Sequence, residues 1–186
     1  ILATAQIVSA VLPYEDNPAN FKHQRAADVL GNKEPLFVKY QTGNPNMYPV
    51  NPCQAFQTMR KVGGNKYRVA VFYATSQQRD LETFFTIVMT SLTALHRHPN
   101  VLLHQTGIGG PNVPFKVMFA DRTAGCFILT TNIRGLGKGC RLLQTSTTVA
   151  LPVPAQCLGV YLRHCPFNSL PIWQDDCRRR LPFKME

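Results

Sequence analysis

Six cysteines are dispersed over this chain, and four of them fall between Ala124 and Cys165. That stretch constrains the fold more than any other. From Gly125 to Thr130 the side chains alternate as a β-strand requires, with Phe127 and Leu129 on one face and Cys126 and Ile128 on the other. Gly139 to Leu143 repeats the pattern: Cys140 and Leu142 share one face, Arg141 and Leu143 the opposite one. Cys157 and Cys165 then lie about two turns apart on a helix opened by prolines, on nearly the same side of it. Two strands showing cysteine outward and a helix showing cysteine inward suit a helix lying on the outside of a sheet. Phe127, Leu129, Arg141 and Leu143 then face whatever fills the other side.

No two cysteines form a C-x-x-C pair, which argues against a zinc site, and neither H-E-x-x-H nor G-x-S-x-G occurs. No metal or cofactor is expected, and an enzyme is the least favoured class. An even cysteine count in a loop-rich chain favours disulfides and an oxidising, extracellular setting; six buried free thiols in a cytosolic protein are the alternative. The first residues, Ile1 to Ala10, are apolar and uncharged, and read either as a signal-peptide remnant or as an apolar arm packed on the domain. The excess of 20 Lys+Arg over 10 Asp+Glu gives a net charge of +10, which concentrates anionic partners near the surface. Because the basic residues are scattered, without a recognition helix, nucleic acid is disfavoured. Arg178, Arg179 and Arg180 open a basic tail, 178–186, whose plain reading is a solvated terminus.

Along the chain, Asn17 and Pro18 start a helix that Gly31 ends. Leu36 to Gln41 alternates next, with Leu36, Val38 and Tyr40 on one face. A Pro/Asn-rich connection leads to strands at Cys53 to Arg60, Lys66 to Ala74, Phe84 to Thr90, Val101 to Gln105 and Phe115 to Ala120, before the opening pair. Alternation in the last of these groups Phe115, Val117 and Phe119. Eight strands in even succession between two helices predict one all-β domain over 1–186, an eight-stranded antiparallel up-and-down barrel or a sandwich. A barrel of that size holds one small ligand or fills its interior with side chains, and sequence does not separate the two.

The residues resemble the tick salivary lipocalins, a family that includes the histamine-binding proteins. The likeness runs over nearly the whole chain, from the helix containing Ala27-Asp28-Val29 to the end. Its most specific part is the framework of Cys53, Cys126, Cys157 and Cys177. The resemblance implies a lipocalin barrel with an N-terminal helix and a C-terminal helix packed outside. It implies the bridges Cys53–Cys177 and Cys126–Cys157, leaving Cys140 to pair with Cys165. It also implies a secreted salivary protein, acting as a monomer, that sequesters a host mediator and so suppresses inflammation. Family members capture histamine or serotonin, leukotrienes or thromboxane, or cholesterol, and some bind complement.

The family's amine binders carry an acid straight after the seventh-strand cysteine and Glu-Leu-aromatic on the eighth strand. Here those positions read Phe127 and Arg141-Leu142-Leu143, and a fourth-strand acid aligns with Val88; only Asp28 keeps an acid. An inward arginine repels an ammonium and suits a carboxylate, which it grips with two charge-assisted hydrogen bonds. The remaining inner face is apolar: Leu36, Val38, Tyr40, Val88, Phe115, Val117, Phe119, Phe127, Leu129 and Leu143. The reading is therefore a binder of a small hydrophobic anion, a leukotriene or other fatty acid. An amine or neutral-lipid binder, or a module that blocks a host immune protein through its basic surface, stands beside it. Arg141 alternatively pairs with Asp28, Glu34 or Glu82. His104 is either a second headgroup donor or a wall residue, and Arg60 and Arg68 are candidates at the barrel mouth.

Overall fold

Short runs of β-branched and aromatic residues separated by Gly, Asn and Pro become strands, and each strand pairs antiparallel with the next. The computed structural model describes residues 12–43, 47, 51–75, 79–93, 95–133, 135 and 137–182; the apolar stretch Ile1 to Ala10 and the end of the basic tail lie outside them. The strands are β1 (Leu36–Thr42), β2 (Ala55–Gly63), β3 (Lys66–Tyr73), β4 (Glu82–Ser91), β5 (Val101–Gln105), β6 (Asn112–Asp121), β7 (Cys126–Ile133) and β8 (Gly137–Thr145). β8 pairs with β1, and β1 pairs with β2 through Leu36↔Phe56 and Phe37↔Ala55, which closes the eight strands into the expected barrel. A short ninth strand, β9 (Ser169–Pro171), adds to the far end of β1; its three residues carry no alternation that a sequence reading could detect.

The N-terminal helix is not continuous, as its capping signals had suggested. Asn17 does cap, accepting from the Ala19 amide at 3.1 Å, but Pro18–His23 is a 3-10 turn and only α1 (Ala26–Leu30) is α-helical. The break serves tertiary contacts. Gln24 donates to the carbonyls of Tyr14 and Met118, and the Ala26 amide donates to the Pro99 carbonyl at 2.8 Å. This seats Ala26, Val29 and Leu30 in the core at the end of the barrel where β1 begins. The preceding residues are held to the wall by Lys116–Asp16 at 2.6 Å and Lys138–Glu15 at 2.9 Å.

Three apolar layers result. Inside the barrel, α1 packs with Leu36, Val38, Val69, Val88, Leu102, Phe115, Val117, Phe127, Leu129 and Leu143. Outside, α2 (Ala155–His164) lies on Met118, Phe119, Ile128 and Leu142 through Val160 and Tyr161. A third cluster joins Phe37, Ala70, Phe72 and Leu81 to Val149, Trp173 and Leu181. The disulfides Cys126–Cys157 and Cys140–Cys165 pin α2 to the wall, and Cys53–Cys177 pins the C-terminal segment. Cys53 is not in a strand: it sits in the turn before β2 at φ 59°, a left-handed conformation that a side chain disfavours. Its disulfide and the bond from its amide to the Ile172 carbonyl at 3.0 Å hold it there. Arg178 to Arg180 belong to a 3-10 turn rather than a free tail, since the Leu81 amide donates to the Arg180 carbonyl at 2.8 Å. No helix among the described residues is long and apolar enough to cross a membrane.

Candidate functional site in the barrel interior

Alternation delivers Leu36, Val38, Val88, Phe115, Val117, Phe127, Leu129 and Leu143 to one interior cluster, with Arg141 among them on β8. Two other residues expected there are outside. A register shift between Val38 and Tyr40 turns Tyr40 onto the α2 side, where its ring lies 6.4 Å from that of Tyr161. A second shift, between Val117 and Phe119, sends Phe119 to the same outer layer and Ala120 inward. An extra residue in a strand exchanges the faces of everything after it, so unbroken alternation assigned both side chains to the wrong side.

The arginines placed at the mouth are also corrected. Arg60 and Arg68 are cross-strand partners on the outer surface of β2 and β3, both exposed. Arg68 covers the Phe85 ring at 4.7 Å. Neither lines the interior cavity.

Arg141 is only 7% exposed. Its Nε–H donates to Gln41 Oε1 at 2.8 Å and a terminal N–H to the Met47 carbonyl at 3.3 Å, while the guanidinium lies 5.0 Å from the centre of the Phe115 ring. No carboxylate pairs with it among the described residues. Glu34 instead accepts from Ser146 and Thr147, Glu82 accepts from Tyr73 and Thr75, and Asp28 does not line the cavity. Burial pulls the guanidinium down to about 10, which leaves it charged at neutral pH. A buried cation held only by neutral acceptors is costly, because carbonyl and ring contacts do not replace the water and counter-ions it has lost.

His104 lines the same cavity, its ring stacked on Phe115 at 5.1 Å and its Nδ1–H donating to the Gln105 carbonyl at 2.9 Å. Burial pushes the imidazole down to about 4; the Gln105 bond opposes this fall and the Arg141 charge adds to it. The ring is therefore neutral at pH 7, with Nε2 an acceptor. It is not a second cationic headgroup donor. Thr131, on the Phe127–Leu129 face of β7, buries a hydroxyl that has no hydrogen-bond partner among the described residues.

Sequence reasoning missed Gln41, Met47 and Gln54. Gln41 reaches the interior only because of the shift before Tyr40, and Met47 and Gln54 come from the connection between β1 and β2, which has no periodicity to read. Met47 is fully buried against Gly139, where a Cβ would stand 2.6 Å from its sulfur. The side chains leave a cavity of about 30 Å³ between Leu30 and Arg141. That is room for a water, against roughly 300–1,000 Å³ for a ligand pocket, so a lipid enters only if interior side chains move. The one cluster of metal-donor side chains among the described residues, Cys53, Asp176 and Cys177, has both sulfurs tied in a disulfide.

Residues 14–179 match the family model described as tick histamine binding protein. Among solved structures, japanin from Rhipicephalus appendiculatus bound to cholesterol is 14% identical with a TM-score of 0.57, over 78% of this chain and 95% of that one. AM182 in complex with serotonin is also 14% identical with a TM-score of 0.57, over 88% of this chain and 90% of that one. At such identities the likeness speaks for the fold. No curated protein matches the chain.

Proposed function

This chain belongs to the tick histamine-binding protein family, and from that premise we propose that it is a secreted lipocalin that sequesters an anionic lipid mediator, such as a leukotriene or other eicosanoid, in its barrel. One observation carries the choice of ligand: the barrel buries the Arg141 guanidinium with no carboxylate partner among the described residues. A lipid carboxylate would supply that partner, and the fork of N–H donors would bind it in two places. Around it the lining is apolar, and burying an acyl tail contributes about 0.8 kcal/mol per CH₂. The same features disfavour an amine. Phe127 and Arg141 stand where amine binders have acids, and an ammonium beside Arg141 is repelled.

Neither an interfering host protein nor catalysis is needed to explain the site. Capture of a mediator released near the feeding parasite would dampen host inflammation, and a monomer suffices for it. Titration calorimetry with leukotrienes, arachidonic acid, histamine and serotonin tests the reading. The expected outcome is submicromolar eicosanoid binding, near −8 kcal/mol or stronger, which Arg141→Glu abolishes while circular dichroism shows an intact fold. Tight histamine binding without eicosanoid heat would sink it.

A further inference from the structure

The outer face of β2, β3 and β4 carries a charge arrangement that folding does not explain. Arg60 and Arg68 stand directly opposite each other in neighbouring strands, and Lys66 lies two residues from Arg68 on the same face. Like charges directly opposite destabilise a strand pair, and no ion pair among the described residues relieves these three cations. Nor is an acid near in sequence: none occurs between Glu34 and Asp80, or between Glu82 and Asp121.

Large apolar side chains lie beside the cations. Phe85 and Ile87, on the same face of β4, are 50% and 42% exposed, though a barrel wall with no partner favours polar groups there. The β2–β3 hairpin that presents the cations is anchored to β4 rather than loose. The Asn65 side chain donates to the Thr90 carbonyl at 2.7 Å, and the Thr90 amide donates to the Asn65 carbonyl at 2.9 Å. Beside it is a shallow depression walled by Lys66, Arg68, Phe85, Ile87 and Gln105, and Gln105 also lines the internal cavity.

We propose that this face docks the protein on an anionic phospholipid surface. Cations alone would fit any polyanion. Half-exposed aromatic and aliphatic groups set among them fit a surface that is charged at its headgroups and apolar just beneath. The docking does not depend on which ligand the barrel holds.

Co-sedimentation of the intact protein tests this, with vesicles of phosphatidylcholine alone and of phosphatidylcholine mixed with phosphatidylserine. Binding is expected only to the mixed vesicles. Arg60→Ser/Arg68→Ser is expected to weaken it about 25-fold, from roughly fivefold per cation near an anionic membrane, with Tm unchanged or raised because the opposed charges are gone. Phe85→Ser/Ile87→Ser is expected to weaken it several-fold. Arg178→Ser/Arg179→Ser, with the same loss of net charge elsewhere, is expected to stay within twofold of the parent. The proposal is overturned if the mixed vesicles bind no better than phosphatidylcholine. It also fails if the Arg178/Arg179 variant loses as much as the Arg60/Arg68 variant. Binding that ignores the loss of Phe85 and Ile87 while heparin binds equally well would assign the face to a sulfated polysaccharide instead.

Discussion

Arg141 and His104 illustrate how one buried charge organises its neighbours. The imidazole is held neutral down to about pH 4 in the folded barrel, against an ordinary value of 6.5. Above pH 6.5 both folded and unfolded chains carry it neutral, and it costs nothing. As pH falls below 6.5 the unfolded chain takes up a proton that the folded one refuses, so stability declines until about pH 4. The loss is at most about 3 kcal/mol, less in so far as the half-buried ring meets solvent. His104→Gln is expected to flatten the fall in Tm between pH 6.5 and 4, measured by scanning calorimetry. A slope unchanged by the substitution would remove the ring from the acid response. Gly139→Ala tests the facing contact. A methyl group there meets Met47, so the expected result is a lower Tm and displacement of the Met47 side chain from the interior.

At the level of elements, the two register shifts decide which side chains line the interior and which meet α2. Phe119→Ala is expected to cost about 3–5 kcal/mol of stability, as for a large side chain lost from a core, and to leave calorimetric ligand affinity within twofold. A parallel loss of affinity would put Phe119 back among the pocket residues. The eight strands and both cysteine-bearing faces were legible because alternation and turn residues are local signals. Tyr40, Phe119 and Gln41 were not, because a bulge is selected by how the whole sheet curves and leaves no distinct residue type behind. The break at Gln24 was hidden for a related reason: its cause is the Met118 carbonyl, 94 residues away. Arg60 lies outside the barrel because the shift between Thr58 and Arg60 again reversed a face, and Arg68 because it alternates with the inward Val69. What the sequence did convey about Arg141 was its inward direction, fixed by the outward Cys140 beside it.

For the whole molecule, the near-full interior makes occupancy and stability one problem. A ligand at a hundred times its Kd stabilises the folded state by about 2.7 kcal/mol, so an eicosanoid that binds is expected to raise Tm by several degrees, and histamine to leave it unchanged. Cross-linking works at the same scale. With all six cysteines paired, no thiol is expected to react with Ellman's reagent in the denatured, unreduced protein. Two reactive thiols would dissolve one of the bridges. Removing Cys140–Cys165, which spans 25 residues, is expected to cost about 3–4 kcal/mol by the loop-closure estimate.

The widest bridge, Cys53–Cys177, spans 124 residues and encloses seven of the eight barrel strands. Any single peptide-bond cut inside that span, including one at the exposed loop around Ile108, leaves both pieces joined through sulfur. Under proteolysis the chain is therefore nicked before it is dismembered: fragments seen on a reducing gel migrate as one species when the reductant is left out.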